Sequence, residues 1–262
     1  VVGYDVTETV FDIYNRDPEG FQELNNKPAR VTINGKRHYE TPFQTGPAAS
    51  VTTIISETAS EANKKKLEMW SKNNPGVKEA AAERGTAIHS CMEMYLKKEA
   101  FDVPPEYADF WTGMPDILDQ FQEVVWAETP LYDKHRFALS EDGIGRVWGR
   151  DSEERPWVGS PDIIGVAGNK LTLADLKTSV KPYCRWWPKD LPKGSPEWRD
   201  RLGGYMKFNK CCLQLGAYAL GIEQTLNMKV QQAAILVSTP EDTQLFKITR
   251  RHLDSCQEKW LK

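Results

Sequence analysis

The chain has 262 residues, 40% of them apolar, and a net charge of −3. That length suits one large domain with or without a small appendage, and the charge alone does not mark a nucleic-acid binder. No run of 18 uncharged apolar residues occurs, which argues against a helical membrane span, and no basic-then-apolar secretory segment is legible from Val1 onward. Cys91, Cys184, Cys211, Cys212 and Cys256 are odd in number and contain no C-x-x-C pair, so reduced thiols are expected, with no zinc ribbon and no iron–sulfur cluster.

Residues 1–45 are polar and turn-rich. Arg30-Val31-Thr32-Ile33 before Asn34-Gly35 suggests a small hairpin. A β-branched run, Ser50 to Ile55, comes next and is followed by a helix over about 60–72. A second helix is predicted over about 77–98, where Ile88, Met92, Tyr95 and Leu96 form an apolar stripe. The spacing predicts a further helix within 104–123 and a strand over Val124–Glu128, ended by Pro130. Residues 138–156 are acidic and contain glycine, as a hairpin tip would. Two strands follow, about Trp157–Val166 and Leu171–Leu176, joined by Ala167-Gly168-Asn169-Lys170. A long loop is expected over 178–207, then a helix over about 209–226, strands near 233–237 and 244–248, and a terminal helix. This order indicates an α/β fold.

Alternate side chains of a strand share a face, so Asp175 and Lys177 point the same way at the end of theirs. A turn near Gly168 brings Asp162, in Pro161-Asp162, towards Asp175, with the register left open. Two carboxylates and an ammonium that converge can hold Mg²⁺ or Mn²⁺ and hydrolyse a phosphodiester. An Asp-x-Lys pair alone is common at strand ends. Here Pro-Asp lies upstream, both segments are apolar strands, and a basic, aromatic segment follows directly. From Lys177 to Lys210 nine Lys or Arg face three Asp or Glu, interleaved with Tyr183, Trp186, Trp187, Trp198, Tyr205 and Phe208. Such a mixture suits a single-stranded backbone with stackable bases, or a solvated loop whose aromatics cap the core.

Pro161-Asp162 followed by Asp175-Leu176-Lys177 resembles the PD-(D/E)xK nuclease superfamily. Arg84-Gly85-Thr86-Ala87-Ile88-His89 is similar to the helical histidine motif of its RecB-like branch, and Gln214-Leu215-Gly216-Ala217-Tyr218 to that branch's Gln-x-x-x-Tyr helix. Glu128 matches a strand glutamate that precedes the Pro-Asp. Ser50–Ile55, Asp175–Pro182 and Lys259-Trp260-Leu261 resemble the mitochondrial genome maintenance exonuclease and its phage relatives. The resemblance covers about residues 50–262 and implies a restriction-endonuclease-like core, a central mixed β-sheet flanked by helices, with residues 1–49 as an N-terminal extension.

What the resemblance implies for the site is specific. Asp162, Asp175 and Lys177 are catalytic, with Gln214 hydrogen-bonding the lysine or a phosphate. His89, Glu128, Asp162 and Asp175 are the expected ligands of Mg²⁺ or Mn²⁺. Arg84, Thr178, Lys181, Arg185, Trp186, Trp187 and Tyr218 are the candidate DNA contacts. The expected activity is that of a monomeric DNA exonuclease acting on single strands or free ends, in the cytoplasm of a bacterial or phage-infected cell. A structure-specific or flap endonuclease of the same fold and a non-catalytic DNA-binding protein are the competing readings.

Overall fold

Asn34 and Gly35, at φ 51° and 73°, turn the chain back on itself and close a hairpin of β1 (Arg30–Ile33) and β2 (Lys36–Tyr39). Positive φ at both central residues is what a tight turn between twisted strands requires, and Asn-Gly supplies it with least strain. In the computed structural model the described residues are 29–40, 46–127, 131–132, 157–226 and 229–262. The hairpin lies in a five-stranded sheet of order β1-β2-β3-β6-β5, with β3 (Ala48–Ser50), β5 (Leu131–Tyr132) and β6 (Trp157–Gly159). Within this sheet, among the described residues, β3 and β6 pair in parallel and the other neighbours pair antiparallel.

Although its first five residues are all β-branched, Val51–Glu57 is a helix, α1. Ser50 caps it by accepting the Thr53 N–H at 3.0 Å, which overrides a weak local preference. Helix α2 (Glu61–Asn73) is capped by Ser60 and buries none of its residues. Helix α3 (Val77–Leu96) buries Ile88, Cys91 and Met92.

The single helix expected within 104–123 is instead broken. A 3₁₀ turn at Pro105–Tyr107 leads into α4 (Ala108–Trp111), Gly113 interrupts, and α5 (Met114–Leu118) restarts on Pro115. A Cβ at Gly113 would lie 2.9 Å from Thr243 Oγ1, so the break lets the chain pass close to a strand. Strand β4 then starts at Phe121 and runs to Ala127.

The strand expected over Trp157–Val166 is also split. Trp157–Gly159 belongs to the first sheet, and β7 (Ile163–Ala167) to a second of order β10-β9-β8-β7-β4. Pro161 lies between them, with no N–H to give a ladder. Gly168 and Asn169, both at positive φ, form a two-residue turn into β8 (Lys170–Thr178). The loop expected to reach 207 stops at Ser195. Helix α6 runs from Pro196 to Leu226, 31 residues, and returns the chain so that β9 (Gln232–Ser238) lies parallel to β8. Strand β10 (Thr243–Thr249) and α7 (Arg250–Trp260) complete it.

The second sheet has a core on each face. Ile164, Leu171, Leu173, Ala233, Ile235 and Val237 pack with α1, α6 and α7. Ile163, Ala174, Leu176, Ala234 and Leu236 pack with α3, α4 and α5. Strand alternation produces both sets. The architecture is α/β, with two mixed sheets and seven α-helices among the described residues. No helix among them is long and apolar enough to cross a membrane. Residues 138–156 lie outside the described residues.

Candidate functional site

Leu171 and Leu173 face α6, so by alternation Asp175 and Lys177 continue that face past the core. The last paired position of the β7–β8 hairpin is Ile163 opposite Ala174. One step further, Asp162 stands beside Asp175, and its Oδ2 accepts the Leu176 N–H at 2.6 Å. The register left open by the sequence therefore brings the carboxylates together. Both are buried.

Lys177 forms an ion pair with Asp175 Oδ2, and among the described residues this buried oxygen accepts no regular hydrogen bond. On α3, His89 Nδ1 donates to the Gly85 carbonyl at 2.7 Å, which directs Nε2 at Asp162 Oδ2, 3.2 Å away. From α6, Gln214 Nε2 donates to Asp175 Oδ1 at 3.3 Å and to the Tyr218 hydroxyl at 2.6 Å. Of the two partners expected for Gln214, Lys177 or a phosphate, its amide nitrogen meets neither here and donates to the carboxylate that Lys177 pairs with.

The charges are strongly interdependent. Burial alone disfavours an ionised Asp162, but the His89 charge and hydrogen bond, Lys177 and the Leu176 N–H outweigh it and hold the carboxyl below its usual value. Asp175 is pushed up to about 6 because burial and the Asp162 charge exceed the pull of Lys177 and His89. Burial opposes a charged His89, yet Asp162 raises it to about 9. Lys177 is held well above the lysine value by Asp175, against its burial.

Two buried carboxylates, one with an oxygen lacking a hydrogen bond, and an imidazole already oriented through its far nitrogen are a donor set that fits a divalent cation. Oxygen donors suit Mg²⁺, and the imidazole makes Mn²⁺ equally suitable. The fourth expected ligand, Glu128, lies outside the described residues. Gly85 is not demanded by crowding, since a Cβ there would meet only Thr178 Oγ1 at 3.7 Å; its carbonyl is what the site uses.

The remaining sequence candidates are spread around this centre. Arg84 lies over the Phe110 ring, 4.7 Å from its centroid, with a buried Nε that has no hydrogen-bond partner among the described residues. Thr178 ends β8 beside Gly85. Tyr218 is buried, its ring on Gly159, where a Cβ would come within 2.4 Å of it; it reaches Asp175 through Gln214 rather than meeting solvent. Lys181 is paired with Asp200. Arg185 donates to the Lys247 carbonyl at 2.8 Å and lies by the Phe208 and Phe246 rings, so its guanidinium is occupied in holding the loop to β10. Trp186 is 74% exposed, while Trp187 packs edge-on against Trp198 and Tyr205. With Cys184, Lys189 and Arg201 these tryptophans line an open cleft.

Three contributors were not legible beforehand. Gly159 seats Tyr218. Lys207 donates to Ser179 Oγ at 3.1 Å, and its ammonium is held below the usual value by desolvation first and the Arg84 charge second. In sequence, Lys207 is one of nine basic residues in its segment, with nothing to single it out. The third, Ser179, is buried beside Lys177 and fixed by its N–H to the Ser238 carbonyl at 2.9 Å.

No protein-family model and no curated protein matches the chain. Among solved structures it is similar to the crystal structure of SSO0001, at 13% identity over 97% of this chain and 86% of that one, with a TM-score of 0.39. A likeness that distant carries no argument about family or chemistry.

Proposed function

We propose that the chain is a divalent-metal-dependent deoxyribonuclease of the PD-(D/E)xK type, built on a restriction-endonuclease-like core of the RecB-like branch. It hydrolyses DNA phosphodiesters from free or single-stranded ends, and acts as a monomer. One observation carries the reading: Asp162, Asp175, Lys177, His89 and Gln214 meet at one strand end from distant parts of the chain. A structural ion pair does not need five polar groups in a largely buried cluster. A metal-dependent phosphodiester-hydrolysing centre makes use of such a set.

Bound Mg²⁺ or Mn²⁺ supplies Lewis acidity to water and charge neutralisation to the reacting phosphate. The chain's own groups do the rest. Asp162 and Asp175 hold the cation, with His89 beside them. Gln214 fixes the rotation of Asp175, so a carboxylate oxygen stays turned into the site. Lys177 presents a permanent positive charge where a phosphate oxygen gains negative charge. Arg84 and Lys207 attract the flanking phosphates, and Trp186 offers an open face for an unpaired base.

The test is digestion of end-labelled linear single-stranded DNA beside a closed single-stranded circle. Linear DNA is consumed with Mg²⁺ or Mn²⁺, little with Ca²⁺ and not at all in excess chelator, and the circle resists. Asp175→Asn and Lys177→Ala each lower the rate at least ~100-fold, with the fold kept by circular dichroism. Full activity in chelator sinks the mechanism. Rapid cutting of the circle turns the reading to a structure-specific endonuclease. Tight DNA binding without cleavage turns it to a non-catalytic binder.

A further inference from the structure

Away from that centre, α6 and α7 press together at one point. A Cβ on Gly216 would lie 2.6 Å from the backbone carbon of Cys256 and 2.8 Å from its Cβ, so only glycine permits the contact. One turn before Gly216, Cys212 faces the same helix. His252 and Cys256 are four residues apart on α7 and share a face. The ligand atoms of Cys212, His252 and Cys256 all lie within 4.8 Å of one another. Both thiols are free and buried, at 3% and 2% exposure.

We infer that Cys212, His252 and Cys256 form a second metal site, for Zn²⁺, that clamps α7 to α6. Ligands at Zn–S and Zn–N bond lengths around one tetrahedral centre stand about 3.3–3.8 Å apart. The ligand atoms, all within 4.8 Å of one another, stand within about an ångström of that range. Two thiolates and an imidazole are soft donors, which select Zn²⁺ over the Mg²⁺ or Mn²⁺ that suits Asp162 and Asp175. Binding releases the two thiol protons and leaves the cluster neutral overall, so no unpaired charge is buried. Solvent completes the tetrahedron on the side of His252, the more exposed of the three. The site holds in place the helix that carries Gln214 and Tyr218, but it does not depend on the nuclease reading.

The experiment uses the full chain, purified under reducing conditions, and zinc alone as probe. Metal analysis after exhaustive dialysis gives one zinc per chain. Co²⁺ in its place gives the near-ultraviolet absorption of thiolate-to-cobalt charge transfer, which a site of carboxylates and imidazole cannot produce. Cys212→Ser and Cys256→Ser lose that band, while Cys184→Ser and Asp175→Asn keep it. A zinc-selective chelator, added with Mg²⁺ in excess, lowers the melting temperature of the unmutated protein by several degrees. That measurement stands even if a serine variant fails to fold. Zinc absent after dialysis, a cobalt band that survives Cys212→Ser, or a Cys212–Cys256 disulfide in the freshly isolated protein overturns the proposal.

Discussion

At His89 the proton and the metal ion of the proposed function would compete for the same nitrogen. Nδ1 is committed to Gly85, and Nε2 faces Asp162. Without metal, the imidazolium is the cation that offsets Asp162, which is why the value rises from 6.5 to about 9 despite burial. A basic group whose folded value is raised takes up a proton on folding. Its contribution is therefore complete below pH 6.5 and is lost as pH climbs through 9. In chelator, stability should fall across that window by an amount on the order of a few kcal/mol. His89→Gln should flatten that fall, as read from urea midpoints at several pH values. An unchanged slope in the variant would mean that His89 is not the proton acceptor. Saturating Mn²⁺ should shrink the slope as well, since the metal takes the proton's place.

Among the elements, the contact between β6 and α6 is the most exposed to a single methyl group. Gly159 lies under the Tyr218 ring, with Val51 Cγ2 3.2 Å from where a Cβ would stand. Gly159→Ala must push that ring out, and with it the Gln214 amide that holds Asp175. Overpacking of this kind costs about 1–3 kcal/mol, and activity should fall along with stability. Gly203 is the contrast, in the interior of α6 with open space around it. Gly203→Ala should raise stability by about 0.5–1 kcal/mol and leave activity alone. Denaturant midpoints and rates for the pair give the test, and a neutral Gly159→Ala would disprove the seat. Helix α6 itself was half legible. Ser195-Pro196-Glu197 is a good helix start, with Ser195 Oγ accepting the Trp198 N–H at 3.1 Å. The Gly203-Gly204 pair argues against a helix there. Tertiary packing reverses that, because Gly204 is where the loop carbonyl of Pro182 comes within 2.7 Å of a would-be Cβ.

Across the whole molecule, the segment between β8 and α6 is pinned rather than free. Tyr183 N–H donates to Gln244 on β10 at 2.8 Å, Arg185 reaches Lys247, and Gly204 takes the loop backbone against α6. The two tryptophans it carries should then behave differently. Trp186, largely exposed, should weaken single-stranded DNA binding on the order of tenfold when changed to Ala, at fixed salt and without loss of stability. Trp187, packed on Trp198 and Tyr205, should lose stability as well. Fluorescence anisotropy and thermal melting of the two variants separate these outcomes. Equal effects on both measurements would remove Trp186 as a stacking face. Of the segment's basic residues, Arg185 commits one guanidinium N–H group to the Lys247 carbonyl and Lys207 donates to Ser179 Oγ.

What the sequence determined by itself is set by bonded geometry over a few residues. Asn34-Gly35 and Gly168-Asn169 required turns, the stripe through Ile88 and Met92 required a helix, and the two-residue period aimed Asp175 and Lys177 the same way. Tertiary structure decided which of these pieces meet. The register that stands Asp162 beside Asp175, the approach of His89 to Asp162, and the choice of Asp175 over Lys177 as the partner of Gln214 depend on distances between elements that no local pattern encodes. Pro161 could be read as a strand end, yet that the two halves of that segment join different sheets follows only from how the sheets pack. The same holds for Cys212, His252 and Cys256. Without a C-x-x-C spacing they look unrelated in sequence, and they become neighbours because Gly216 lets two helices touch.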